Sequence, residues 1–274
     1  MDKKIKYKII FSDLDHTLLV DNHIPLFNLE AIKKAQEKGV KFVICTGRNY
    51  NIMNHLLKEL NTENSENEYT ICNSGSVIYE NKNKKIIYSK KIELETLKSI
   101  FEYGKTLDIL IIFDTTSSEH YIYNEEKVNK NEWKDLKYKV IKNLEDLKNI
   151  EVIRLIFTSK DINKVLNIQN NIKKKFEGKV SCFTSCHNRF LEINSFGVCK
   201  GEALKWLSNY LNIDIKETIA IGDDYNDESM MKEAGLSCCV KSGMEEIKKI
   251  SKYICQKDYF EGSVKEVIEK FILN

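Results

Sequence analysis

Tyr7-Lys8-Ile9-Ile10-Phe11-Ser12-Asp13-Leu14-Asp15 carries the first apolar run of the chain into two carboxylates. Residues 7–11 read as a short buried strand rich in apolar residues, and the acidic turn ends it. The same pattern returns twice. Residues 40–45 run into Thr46-Gly47-Arg48, and residues 217–221 run into Gly222-Asp223-Asp224-Tyr225-Asn226-Asp227. Helical stretches separate the strands: residues 29–38, with Asn28 as N-cap and Gly39 as stop, and residues 49–60. Residues 68–72 add a strand before Asn73-Ser74-Gly75. Residues 201–211, 227–234, 244–249 and 263–273 read as helices around further strands at 217–221 and 237–240. Strands alternating with helices predict an α/β fold with a mostly parallel sheet covered on both faces.

The middle of the chain breaks that rhythm. Residues 85–91, 109–114, 120–123 and 152–158 read as strands, with helices at 93–106 and 162–176. Polar spacers bracket them, Asn81-Lys82-Asn83-Lys84 and Asn194-Ser195-Phe196-Gly197. The expected organisation is a core built from 1–82 and 191–274, interrupted by an inserted α+β domain over 83–190. At 274 residues, two domains also suit the length, and 42% hydrophobic residues supply a real core, which excludes disorder. Lys+Arg 43 against Asp+Glu 41 leaves +2, so no global field favours nucleic acid or a membrane surface. No apolar stretch approaches the roughly 20 residues of a membrane span. The segment Met1-Asp2-Lys3-Lys4-Ile5-Lys6 lacks the apolar run of a secretory signal. Eight cysteines then read as cytoplasmic thiols, with Cys45 and Cys72 inside apolar runs as small buried hydrophobes. Cys182, Cys186 and His187 lack the paired spacing and fourth ligand of a zinc site.

The chemistry collects at strand ends, where ligands bind in parallel α/β sheets. Asp13 and Asp15 stand one residue apart, and carboxylates so close repel unless a cation joins them or one is protonated. A lone D-x-D is usually no more than an acidic surface turn. The Gly222-to-Asp227 turn offers three more carboxylates. An oxygen-rich set selects a hard cation, and the spacing lacks the alternating ligands of an EF-hand. Helix capping accounts for one of these acids, not all. Thr46-Gly47 offers a hydroxyl, backbone amides and a helix start, a plausible anion cradle. Lys200, opening a helix after the inserted block, means little in isolation.

In order along the chain, D-x-D-x-T, T-G-R, K-G and G-D-x-x-N-D resemble the motifs of the haloacid dehalogenase superfamily. Phe190-Leu191-Glu192-Ile193 followed by Lys200-Gly201-Glu202-Ala203-Leu204, and the terminal Glu261-Gly262-Ser263-Val264, resemble its Cof-type phosphatase branch. The resemblance implies a Rossmann-like core with an inserted α/β cap. It also implies a Mg2+-dependent phosphatase acting on small phosphorylated metabolites, sugar phosphates first, through an aspartyl-phosphate. In that reading Asp13 is the nucleophile and Asp15 the acid and base. Thr46, Gly47, Lys200 and Asn226 bind the phosphoryl group, with Asn226 holding Lys200 or a phosphoryl oxygen. Mg2+ is held by Asp13, the carbonyl of Asp15 and Asp223, with Asp227 in support. Thr17 fixes the nucleophile loop, and Arg48 has a motif match without a role. The partner is a small phosphate ester, and the chain acts as a monomer or weak homodimer. A phosphotransferase or mutase shares the first half-reaction, and a receiver-like phospho-sensing module is the rival from another class. His16 departs from the family's usual Gly, Asn73-Ser74-Gly75-Ser76 from Asn-Gly-Ala, and Val240-Lys241-Ser242-Gly243 from Ala-Met-Gly-Asn. Specificity is expected from cap residues 114–120 and 185–189, while Tyr121 and Tyr123 read as strand packing.

Overall fold

The computed structural model describes residues 6–117, 119–130 and 137–274, so residues 1–5 of the N-terminal segment Met1–Lys6 and Ser118 of the expected specificity stretch lie outside the described residues. The chain divides into two compact units, Met1–Tyr88 with Cys199–Asn274, and Ser89–Val198.

The first unit opens with β1 (Ile9–Ser12), every residue buried, as a strand covered on both sheet faces must be. Then come α1 (Leu26–Glu37), β2 (Lys41–Cys45), α2 (Asn54–Glu59) and β3 (Tyr69–Cys72). β4 (Val77–Glu80) pairs antiparallel with β3, and β5 (Lys85–Ser89) closes that edge. Helix α1 starts three residues earlier than its sequence suggests, with Pro25 at the cap. Asn28 is no cap. Its Nδ2 donates to the Leu18 carbonyl at 3.4 Å and its Oδ1 accepts from the Lys265 backbone amide at 3.1 Å. A tertiary clamp took the side chain that local capping would have used.

The second unit holds α3 (Leu94–Lys105), β6 (Leu110–Thr115), β7 (His120–Tyr123), β8 (Tyr138–Val140), β9 (Val152–Thr158), α4 (Ile162–Lys175), β10 (Val180–Ser185) and β11 (Phe190–Ser195). Its sheet order is β10-β11-β9-β6-β7-β8. Ile111, Phe113, Leu155, Phe157 and Leu191 point one way, into a core shared with Leu97, Ile100 and Phe101 of α3 and Val165, Ile168 and Ile172 of α4. Tyr121 lies in that core, and Tyr123 meets Phe101 edge-on at 5.1 Å. The boundaries differ from the sequence expectation of 83–190. β5 belongs to the first unit's sheet, and residues 191–195 to the second's, because Phe190–Ser195 forms a hairpin with β10 and also pairs with β9.

The chain then returns through α5 (Lys200–Tyr210), β12 (Thr218–Gly222), α6 (Glu228–Glu233), β13 (Leu236–Cys239), α7 (Glu245–Ile250), β14 (Tyr253–Ile254) and α8 (Ser263–Ile268). The first unit's sheet runs β14-β13-β12-β1-β2-β3-β4-β5. β1 lies parallel between β12 and β2. The chain leaves β1 toward β2 on one side and comes back to it through β12 on the other. That reversal opens a crevice at the carboxyl end of β1, where Asp13 follows. Among the described residues, none of the eight cysteines is in a disulfide. Among the described residues no helix is long and apolar enough to cross a membrane.

Candidate active site

Asp13 extends the ladder one step beyond β1, its amide donating to the Ile221 carbonyl of β12 at 2.9 Å. This fixes the root of a carboxylate that is 6% exposed. Lys200, the first residue of α5 and fully buried, reaches between two acids. Its Nζ lies 2.5 Å from Asp13 Oδ1 and 2.6 Å from Asp227 Oδ1. The other oxygen of Asp227 accepts from the amides of Asp223 at 2.9 Å and Asp224 at 3.2 Å, closing the turn after β12. Gly222 is required there: a Cβ would come within 2.5 Å of the Asp227 carboxyl. Thr17 Oγ1 donates to Asp223 Oδ1 at 2.7 Å. Carboxylate oxygens of Asp13, Asp223 and Asp227 thereby lie within 4.8 Å of one another.

That concentration of buried charge resists ionisation. Burial, with Asp227 and Asp15 adding repulsion against the pull of Lys200, pushes the Asp13 carboxyl up to about 7. Burial, then Asp227 and Asp13, raise Asp223 well above the usual carboxylate range, against the Thr17 hydrogen bond. Burial works against the Lys200 ammonium, but Asp13 and Asp227 outweigh it and hold it well above the ordinary lysine range. With all three carboxylates ionised, one ammonium leaves two formal negative charges uncompensated. A divalent cation on hard oxygen donors would balance them, so this donor set fits such an ion.

The second strand end lies beside the first, because β2 runs parallel to β1 with Ser12 opposite Ile44. Thr46 and Gly47 follow β2, with Thr46 buried, its amide donating to the Ile71 carbonyl at 2.9 Å. Thr46 Oγ1 accepts from the Arg48 amide at 3.1 Å. The turn after β3 buttresses this cradle, Asn73 and Ser74 donating their amides to the carbonyls of Arg48 and Thr46. Both adopt left-handed backbone, φ 50° and 55°. Asp15 is paired with Arg48, a contact the sequence reading missed: Arg48 Nε to Asp15 Oδ2 at 2.9 Å and Nη2 to Oδ1 at 2.5 Å. The T-G-R motif was its only signal, and a motif names a residue without its partner. Asn226 is half-buried in the turn after β12, but the groups on the Lys200 ammonium are Asp13 and Asp227. His16 has φ 58°, a left-handed conformation that suits glycine, and its ring meets Tyr259 edge-on at 5.4 Å.

A family model described as haloacid dehalogenase-like hydrolase matches residues 10–268. A protein of Buchnera aphidicola is 31% identical over 257 residues, covering 89% of this chain and 90% of its own. A protein of Methanobrevibacter smithii named phosphoglycolate phosphatase is 29% identical over 266 residues, covering 95% and 97%. Among solved structures, a chain from Plasmodium vivax described as HAD/COF-like superposes with a TM-score of 0.84 at 25% identity, covering 99% of this chain and 98% of that one.

Proposed function

The chain belongs to the haloacid dehalogenase-like hydrolases, in their Cof-type branch, and from that premise we propose a Mg2+-dependent phosphatase of small phosphorylated metabolites, with sugar phosphates as the first substrate class. One observation carries the reading. Two acidic strand ends and a lysine 187 residues from Asp13 meet around one buried point.

In the proposed reaction an Asp13 oxygen attacks phosphorus, and the ester P–O bond breaks as an aspartyl-phosphate forms. Asp15 gives its proton to the departing oxygen. It then takes a proton from the water that attacks the same phosphorus, so that the bond to Asp13 breaks and inorganic phosphate leaves. Lys200 orients the nucleophile through its 2.5 Å contact and offers positive charge to the phosphoryl oxygens, with Thr46, the Gly47 amide and Asn226 as further donors. Asp13, the carbonyl of Asp15 and Asp223 would hold Mg2+. When bound, the ion would offset the repulsion between carboxylate and phosphate. Asp227 supports the set, since its two oxygens already hold Lys200 and the turn amides.

The test is phosphate release from a panel of esters with and without Mg2+, together with Asp13→Asn. The expected result is Mg2+-dependent release from sugar phosphates, abolished in the variant while its circular dichroism is unchanged. Turnover retained by Asp13→Asn would remove the nucleophile, and a panel with no release would remove the activity.

A further inference from the structure

Asp15 has a half-exposed side chain, 52% accessible, and a carboxylate so placed ordinarily samples several rotamers. Here both of its oxygens are taken. The Nε and Nη2 of Arg48 form a side-on fork on them. The remaining arm of the guanidinium, Nη1, donates to Asn22 Oδ1 at 2.6 Å. Asn22 is braced in turn, its Nδ2 3.3 Å from His55 Nε2, which also lies 3.0 Å from the Asn22 carbonyl. His55 meets His23 edge-on at 5.7 Å, and His23 Nδ1 pairs with Glu59 Oε1 at 2.6 Å. A continuous line of contacts thus runs from helix α2, which carries His55 and Glu59, to the Asp15 carboxyl. The Arg48 backbone is fixed as well, its amide on Thr46 Oγ1 and its carbonyl on the Asn73 amide.

An ion pair this exposed adds little to stability, whereas a planar fork specifies direction. We propose that Arg48 is the positioning residue that aims the Asp15 carboxyl at the leaving-group oxygen, with Asn22 setting the plane of the guanidinium. The inference rests on the phosphatase reading above. Both Asp15 oxygens are acceptors in the fork, so the one that serves the leaving group comes out of it while the other stays held. The fork then acts as a pivot that limits Asp15 to one arc of motion.

The test separates aiming from folding. For each variant, kcat/KM is measured with p-nitrophenyl phosphate, whose phenolate departs with little protonic help, and with glucose 6-phosphate, whose alkoxide needs a proton. This ratio reports only steps up to loss of the leaving group. Arg48→Ala is expected to lower kcat/KM for the sugar ester at least about tenfold more than for the aryl ester, within the range of general acid catalysis. Asp15→Asn shows the same bias more strongly, and Asn22→Ala shows it more weakly. Arg48→Lys does not restore the sugar ester, since an ammonium cannot form the fork. A readout independent of turnover is the guanidinium NMR signal of Arg48, expected to show hindered rotation that Asp15→Asn abolishes. Equal losses on both esters, full rescue by Lys, or a freely rotating guanidinium would overturn the assignment. If the wild-type chain turns over neither ester, the phosphatase reading fails, and this inference with it.

Discussion

Thr17 spends its hydroxyl on a carboxylate, and in the proposed function that one bond prepares Asp223 to hold the cation. Asp223 is buried, and the hydrogen bond from Thr17 opposes the burial and repulsion that resist its ionisation. Thr17→Val keeps the shape and removes the donor. A hydrogen bond to a charged group is worth roughly 1.5–3 kcal/mol, and losing support behind a ligand costs about 10–100-fold in metal affinity. The expected outcome is a Mg2+ activation curve displaced by at least about tenfold, with Thr17→Ser near wild type; an undisplaced curve would relieve Thr17 of the role. At this scale much was readable in advance. Asp13, Thr46 and Asp223 each follow an apolar strand, and a strand end in a parallel sheet is an address. Asn28 was misread because a cap and a tertiary clamp demand the same side chain. The Arg48–Asp15 fork was not readable because it joins neighbouring strand ends through side-chain geometry that spacing does not encode.

Elements were legible where apolar periodicity was strong and misplaced where a polar run had two meanings. Asn81-Lys82-Asn83-Lys84 looks like a domain spacer but is the turn of a hairpin, with Asn83 and Lys84 at φ 56° and 51°, so β5 stays in the first sheet. β8, only three residues long, falls below what periodicity can resolve. The second unit's sheet also hides a charge network that no motif announces. Arg154, 3% exposed, donates to Asp114 Oδ2 through Nε at 2.7 Å and to Glu192 Oε2 through Nη1 at 2.7 Å, while His120 Nδ1 lies 2.6 Å from Asp114 Oδ1. Burial alone would raise the Asp114 carboxyl, but Arg154 and then His120 outweigh it and hold it well below the usual range. A lowered carboxyl contributes stability that is complete above its unfolded value of about 4 and is lost as pH falls through its folded one. Asp114→Asn should therefore cost about 3–5 kcal/mol near pH 7, by leaving Arg154 without its main partner. The difference from wild type should narrow below about pH 4. Urea unfolding at both pH values checks this; a gap that is constant with pH would show that the loss is packing and not charge.

Across the whole molecule, the residues of the candidate site are drawn from the two ends of the chain but from one compact unit: Asp13, Lys200, Asp223 and Asp227 all lie in Met1–Tyr88 or Cys199–Asn274. A cation bound there would stabilise that unit by mass action. At 100 times Kd the gain is about 2.7 kcal/mol, which for a body of this size is a rise of about 5–10 °C in Tm. The raised carboxyls give the sign of the metal-free state. Asp13 and Asp223 keep protons in the folded chain that the unfolded chain has already released, so stability without metal falls as pH rises from about 4 toward 7. Asp223→Asn removes one of these titrating groups. It should melt above wild type without metal at pH 7 and lose most of its response to Mg2+, trading function for stability. Differential scanning calorimetry with EDTA and with Mg2+ decides the matter. If the scan resolves two transitions, only one should move with the ion. A wild-type scan indifferent to Mg2+, or a variant that responds as wild type does, would mean that these carboxylates converge for some purpose other than holding a cation.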